Sequence, residues 1–230
     1  MKYKAILFDN DDTLMDFQTG NKNAIDLLMD ELGYDHPDRY NQYEKINMQC
    51  WKALEKGELD QNQVKYERFK RFLDKYHIEG GYRQVADRFA QLLGKENTLL
   101  PGVEETLKTI SKKLPIIIIT NGITVIQKAR FQNSLIKEFA KKIIISEEVG
   151  ISKPDPGIFK IALDYIGIKP EEALMDGDGI ESDIRGANNA HIDVCWMNPT
   201  GKKRPEELHV EYEIKTIQDC IKIALIDKER

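Results

Sequence analysis

The sequence predicts an α/β protein: a parallel sheet built from alternating strands and helices, with a bundle of helices inserted after the first strand. Three observations carry this. The chain opens with the apolar run Ala5-Ile6-Leu7-Phe8 between polar residues, the pattern of a strand buried on both faces. Apolar residues then recur at helical spacing for about eighty residues with no strand between them. From Pro115 onward strands and helices alternate, which implies βαβ units and a Rossmann-like parallel sheet.

Taken in order, the helical part contains four amphipathic segments. Ile25, Leu28 and Leu32 share one face; Tyr40, Tyr43, Asn47, Cys50, Trp51 and Leu54 share the next. Tyr66, Phe69, Leu73 and Tyr76 mark a third segment, and Val85, Phe89 and Leu92 a fourth. Gly33, Gly57 and the Gly80-Gly81 pair punctuate them. An ordinary crossover needs little more than its helix, so residues 16–97 read as an inserted cap domain and residues 1–15 with 98–230 as the core. The aromatic residues of the insertion read as its core. After Leu100-Pro101-Gly102 the pattern gives helix 103–110, strand 115–119, helix 124–134 and strand 142–145. Helix 156–166, strand 173–175, helix 183–190, strand 192–197, strand 212–214 and helix 217–226 follow.

The composition narrows the function. Of 230 residues, 41% are hydrophobic and 32% charged, enough for a globular core. A formal net charge of −5 argues against a nucleic-acid polymer or a membrane surface as partner. No apolar stretch approaches the ~20 residues needed to cross a bilayer, and the first apolar run is too short for a signal peptide. Cys50, Cys195 and Cys220 are odd in number and lack metal-ligand spacing, which suits reduced thiols in a cytoplasm. The four histidines are scattered and read as surface or packing residues. Oligomeric state is not encoded in any pattern of this chain.

Parallel strands align their carboxyl ends on one edge, where open α/β sheets bind ligands. Four ends here carry suggestive chemistry: Asp9 and Asp11; Thr120-Asn121-Gly122; Lys153-Pro154-Asp155-Pro156; and Asp176-Gly177-Asp178 followed by Asp183. In extended backbone Asp9 and Asp11 leave on the same side, and two such carboxylates repel unless a cation sits between them. Mg²⁺, a hard ion with oxygen ligands, meets that need. A carboxylate can attack phosphorus to form an acyl phosphate, and a second can protonate the leaving oxygen and then activate water. Thr120 offers a hydroxyl, Asn121-Gly122 backbone N–H groups at a helix start, and Lys153 a positive charge. Asp178 adds an oxygen ligand. Each piece also has a plain reading: a turn at residues 9–12 and at 120–122, a solvated Lys153, a helix cap at Asp155-Pro156 and a helix-terminal carboxylate at Asp183.

Together, in this order, the four segments resemble the motifs of the haloacid dehalogenase (HAD) superfamily, and the insertion resembles that superfamily's helical cap of the first type. The resemblance covers essentially the whole chain. It implies Asp9 as nucleophile and Asp11 as general acid/base, with Thr120 and Lys153 holding the phosphate. It further implies Asn10 and Asn121 beside them as substrate-binding positions. Mg²⁺ is implied on Asp9, the Asp11 carbonyl, Asp178 and Asp183. Asp12, where many members have glycine, and Cys195-Trp196-Met197-Asn198-Pro199 look like the bacterial pyrimidine 5′-nucleotidase group. The resemblance therefore implies a cytoplasmic hydrolase of small phosphorylated metabolites, with nucleoside monophosphates first. Two departures stand out. Gly179 lacks the hydroxyl usual after the metal-binding aspartate, and Asp176 replaces an apolar residue, which is expected to add negative charge beside the metal.

Other readings use the same residues. A phosphatase of phosphoglycolate or a sugar phosphate, or a phosphomutase, shares the machinery and is told apart by its product. A dehalogenase needs neither a metal nor Asp11 and Thr13. A dinucleotide oxidoreductase lacks support because no Gly-rich turn follows the first strand. A silent binding protein on the same scaffold rests on Gly179 and Asp176 alone. The Lys202-Lys203-Arg204 run reads as a solvated loop.

Overall fold

The computed structural model describes residues 1–227. Strand β1 (Ala5–Phe8) leads into helices α1 (Phe17–Glu31), α2 (Arg39–Glu55), α3 (Gln61–Tyr76) and α4 (Tyr82–Leu93). Then come α5 (Val103–Ile110), β2 (Ile116–Thr120), α6 (Thr124–Asn133), α7 (Ile136–Phe139), β3 (Ala140–Ile145), α8 (Ser146–Val149) and α9 (Pro156–Ile166). Strand β4 (Ala173–Gly177), α10 (Arg185–Asn189), β5 (Asp193–Met197), β6 (Tyr212–Ile214) and α11 (Asp219–Ala224) complete the order. The six strands form one parallel sheet, ordered β3-β2-β1-β4-β5-β6.

Strand register explains why chemistry can gather at one edge. Phe8 lies opposite Ile118 of β2 on one side and Asp176 of β4 on the other. The residues just beyond each of these positions therefore emerge together at the carboxyl edge. The alternation of a pleated strand sorts the rest. Ile6, Phe8, Ile116, Ile118 and Leu174 face α5 and α11, whereas Leu7, Ile117, Ile119, Met175 and Val194 face α9 and α10. Both faces are covered at the centre of the sheet, which is why β1 and residues 116–119 of β2 are apolar without alternation.

The inserted helices have a core of their own. Tyr43, Phe69 and Phe89 meet with ring centroids 5.2–6.0 Å apart, within the range of favourable aromatic pairs. Their reading as core residues is correct, as they are fully buried. Helix α1 starts at Asp16, whose side chain accepts from the Thr19 N–H at 3.0 Å. Helix α3 starts at a capping box, Asp60 and Gln63 each accepting the other's N–H at 2.7 Å. Its polar first turn hides α3's beginning from the apolar periodicity, which shows only from Tyr66. The two connections to the sheet run side by side: Leu100 N–H donates to Leu14 O (2.9 Å) and Asp16 N–H to Thr98 O (3.0 Å).

Periodicity does not announce the short α7 and α8, and the helix expected over 183–190 begins as a π-helical turn, Ile180–Ile184, before α10. No helix among the described residues is long and apolar enough to cross a membrane. Phe69→Ala should cost about 3–5 kcal/mol, because a fully buried ring is lost from a closed cluster. Urea unfolding followed by circular dichroism checks this, and a loss under about 1 kcal/mol contradicts it.

Candidate active site

The carboxyl edge of the sheet is organised by one buried ammonium. Lys153 Nζ donates to Asp9 Oδ1 (2.5 Å), to Asp183 Oδ1 (2.7 Å) and to the Ile119 carbonyl (2.9 Å). All three of its donors are thereby used. Its backbone is clasped by Asn121, whose Nδ2 donates to Lys153 O (2.7 Å) while Oδ1 accepts from Lys153 N–H (2.9 Å). The side chain of Asn121 thus positions Lys153. Asp155 caps α9 by accepting from Gly157 N–H at 2.8 Å, the structural role expected of it.

Asp9, Asp178 and Asp183 bring carboxylate oxygens within 4.8 Å of one another. Burial pushes the Asp9 carboxyl well above the usual range; Asp183 adds to the rise and Lys153 opposes it. Asp178 is pushed up to about 7, first by burial, then by Asp183 and Asp12, with Lys202 and Lys153 opposing. Burial works against the charge of Lys153, but Asp183 and Asp9 outweigh it and hold the ammonium above its ordinary value. Three carboxylates therefore face one cation. The excess negative charge, the all-oxygen donor set and the close spacing fit a hard divalent ion such as Mg²⁺.

Local structure explains how these groups are held. Trp196, buried against the α9 and α10 face, donates its ring N–H to Asp178 O at 3.2 Å. Asp183 sits in the π-helical turn and its Oδ2 accepts from Gly179 N–H at 2.9 Å. A Cβ on Gly177 would lie 2.5 Å from Asp183 Oδ2, and one on Gly179 would lie 2.2 Å from Ser182 Oγ. Glycine at 179 is thus a condition for this packing, and the Ser182 hydroxyl fills the space a side chain there would take. The hydroxyl expected to be missing has a neighbour in its place, three residues later.

Asp176 corrects a second expectation. On β4 it shares the face of Phe8 and Leu174, so its side chain turns away from Asp9 and into the opposite core, beside Cys195 and Cys220. Neither of its oxygens has a close hydrogen-bond partner among the described residues, although the Cys220 and Cys195 thiols lie within 4.8 Å and favour its charged form. Burial pushes this carboxyl up to about 7. Lys202, expected in solvent, is exposed yet holds its ammonium 3.9 Å from Asp178 Oδ2.

Asp11 does not follow Asp9. The chain turns at Asp12, whose φ of 58° is left-handed, a region aspartate tolerates better than most residues. The Asp11 carboxylate then points to α6, where Arg130 Nη1 donates to Oδ1 and Gln127 Nε2 donates to Oδ2 at 2.7 Å. Its side chain stands outside the trio of converging carboxylates. Asn10 is fully buried and donates to Gln127 Oε1 at 2.8 Å, so its side chain does not reach the open cleft. Thr120 is buried at the end of β2. Gly122 N–H, expected free for an anion, donates to Ser146 Oγ at 3.2 Å, and Thr124 N–H to Glu147 Oε2 at 2.6 Å.

A cleft of about 820 Å³ opens beside these groups, lined on the sheet side by Asp11, Asn121 and Lys153 and on the helical side by Phe17, Asn47, Trp51 and Arg68. Asn47 Oδ1 accepts from Trp51 Nε1 (3.1 Å) and Arg68 Nη1 (3.0 Å). Sequence reasoning assigned none of these helical residues to a site. The available signal was Asn47 itself, an amide in an otherwise apolar stripe.

Comparison with known proteins agrees with this architecture. The chain is 31% identical over 234 residues to the pyrimidine 5′-nucleotidase PynA of Streptococcus pneumoniae, covering 99% of both chains. It is 30% identical over 224 residues to the pyrimidine 5′-nucleotidase YjjG of Escherichia coli, covering 95% of this chain and 96% of the relative. The crystal structure of the HAD-hydrolase YfnB of Bacillus subtilis bound to magnesium superposes with a TM-score of 0.90 at 30% identity, covering 98% of this chain and 100% of that one. A family model described as haloacid dehalogenase-like hydrolase matches residues 3–191. The chain belongs to the haloacid dehalogenase-like hydrolases.

Proposed function

We propose that the protein is a Mg²⁺-dependent phosphomonoester hydrolase that prefers nucleoside 5′-monophosphates with a pyrimidine base. The observation that carries the reading is the buried Lys153 set between Asp9 and Asp183 at 2.5 and 2.7 Å, beside a cleft walled by Trp51, Phe17 and Arg68. The relatives PynA and YjjG support the choice of base. Asp9, Asp178 and Asp183 would hold the metal, with the Asp11 carbonyl as a further ligand. Bound there, it offsets negative charge and polarises a phosphoryl oxygen.

The chain's own groups supply the rest. Lys153 grips one oxygen of Asp9 and leaves the other to attack phosphorus, forming an aspartyl-phosphate as the bond to the leaving oxygen breaks. Asp11 gives that oxygen a proton, then takes one from the water that displaces Asp9, releasing inorganic phosphate. Lys153 and Thr120, buried here with the lysine's three donors taken by the protein, would re-aim toward the phosphoryl oxygens when substrate binds, and Asn121 keeps Lys153 in place. Residues 16–97 act as a cap over the cleft, opening and closing about the paired segments at 14–16 and 98–100 and excluding water during the first transfer. Glycine at 179 and the opposite-facing Asp176 leave the primary groups intact, which weighs against a silent scaffold.

The direct test is phosphate release, with and without Mg²⁺, from UMP, dUMP, dTMP, AMP, phosphoglycolate and glucose phosphates. Mg²⁺-dependent turnover concentrated on the pyrimidine nucleotides is expected, and Asp9→Asn should lose at least about 10³-fold in kcat/KM. Turnover centred on phosphoglycolate or sugar phosphates discards the nucleotide assignment. Gly179→Ala should raise the Mg²⁺ concentration giving half-maximal rate by about 10–100-fold, since Ser182 and Asp183 must shift; an unchanged Mg²⁺ dependence removes that role.

The metal-free protein should also show a definite pH dependence of stability. Asp176 and Asp178 have their carboxyls raised from 3.8 to about 7 in the fold. Their contribution is therefore present in full below about pH 4 and is lost as pH climbs through about 7. The melting temperature in EDTA should fall between about pH 5 and pH 8, and Mg²⁺ should restore more of it at pH 8 than at pH 5. Calorimetric scans that stay flat over this range rule the account out.

A further inference from the structure

Beyond the groups that do chemistry, one fully buried side chain touches Asp11 and both connections to the inserted helices. Arg130, on α6, donates from Nη1 to Asp11 Oδ1 and from Nε to the Glu96 carbonyl at 2.8 Å. Its guanidinium also lies over the ring of Phe17, 5.5 Å from the centroid. Phe17 opens α1, on the outgoing connection, and Glu96 follows α4 on the returning one. The returning segment is fastened to the same helix again, through Asn97 Nδ2 to Asn133 O (2.5 Å) and Asn133 Nδ2 to Gly94 O (3.3 Å).

With Gln127 on its other oxygen, Asp11 accepts at both ends from α6. So held, both of its oxygens are engaged by α6 and neither is free to meet a leaving oxygen. To act as the acid it must turn out of this clasp. Arg130 Nη2, meanwhile, is buried with no partner among the described residues, an expensive condition for a charged donor. The present arrangement therefore satisfies Arg130 only in part, and a second arrangement that re-aims it is open.

We propose that Arg130 is a positioning residue that couples the two connections of the inserted helices to the direction of the Asp11 carboxylate. In the arrangement seen here, Arg130 keeps Asp11 against α6. When Phe17 and Glu96 shift with their helices, the guanidinium shifts with them and presents Asp11 to the leaving oxygen. This rests on the phosphomonoesterase reading above. Arg130 itself touches neither the phosphate nor the base, and the bonds made and broken are those already described for Asp9 and Asp11.

The test separates the proton from the phosphoryl transfer. Arg130→Lys keeps the charge but cannot reach Asp11 and Glu96 together in the same fork geometry; Arg130→Met removes both contacts. The nucleoside of UMP leaves as an alkoxide and needs the proton, whereas p-nitrophenyl phosphate expels p-nitrophenolate, a stable anion that does not. In either variant, kcat for UMP should fall about 100-fold with KM changed less than about 3-fold. Stopped flow with p-nitrophenyl phosphate should still show a first turnover within about 3-fold of wild type. A slow phase should follow, because water activation also needs Asp11. In the Asp11→Asn background, where both charges of the pair can be removed together, Arg130→Met should add less than about 2-fold, since Arg130 acts through Asp11 alone.

Three results overturn the proposal. One is UMP turnover in both variants within about 3-fold of wild type. Another is an equal loss of first turnover on both substrates in protein that melts cooperatively, which marks Arg130 as structural. The third is additive losses with Asp11→Asn. Should Arg130→Met fail to fold, Arg130→Lys and the Asp11→Asn/Arg130→Met double variant decide the question. Failure of the phosphatase reading itself would show differently, as no Mg²⁺-dependent phosphate release by the wild-type protein.

Discussion

Everything at the carboxyl edge depends on placing an ammonium out of water among carboxylates. Burying a charge is costly unless it is paired and its donors are filled. Lys153 meets both conditions, with Asp9, Asp183 and the Ile119 carbonyl as its three acceptors. That single arrangement ties β1, β2 and the π-helical turn after β4 to the loop before α9. It fixes one oxygen of Asp9 and one of Asp183 in space. Removal of the lysine would leave two buried carboxylates facing each other with nothing between them. Folding of the edge and readiness for an anionic substrate are therefore the same electrostatic problem.

The second constraint is the two-residue alternation of β4. It sends Met175 to one core and Leu174 and Asp176 to the other. Asp178 lies past the strand end, where Trp196 holds its backbone. A carboxylate two positions earlier in sequence consequently stands outside the converging trio and feels it only through the charge of Asp183. Glycine at 177 and 179 lets Asp183 and Ser182 pack against the backbone at distances no side chain would permit.

Much of this was legible in the sequence, for identifiable reasons. Strand ends in a parallel sheet converge whatever their separation along the chain, so Asp9, Lys153, Asp178 and Asp183 could be grouped from order and spacing alone. Directions of individual side chains were not legible. Asp11 was expected beside Asp9 because extended backbone puts them on one side, but the left-handed turn at Asp12 and the pull of Arg130 send it to α6. Gly122 was expected to offer its N–H to an anion, and Ser146, on a helix too short to be seen as periodicity, takes it. The overlooked residues share a signature. Gln127 and Arg130 interrupt the buried face of α6 beside Ile126 and Phe131, as Asn47 interrupts that of α2. A polar group in an apolar stripe is a group whose partner lies on another element.

The pairing of Leu14 and Asp16 with Leu100 and Thr98 has a further consequence for how the chain folds. It brings the two ends of the inserted helices to adjacent points. To the sheet, residues 16–97 are a loop closed at its neck. Closure entropy grows only logarithmically, roughly 0.6 kcal/mol for each doubling of length, so so large an insertion delays the pairing of β1 with β2 far less than its length suggests. The same neck makes the insertion exchangeable. Helices of different number or sequence can be hung from it without altering the register of the strands beneath, so the helical wall of the cleft can diverge while the sheet wall stays fixed.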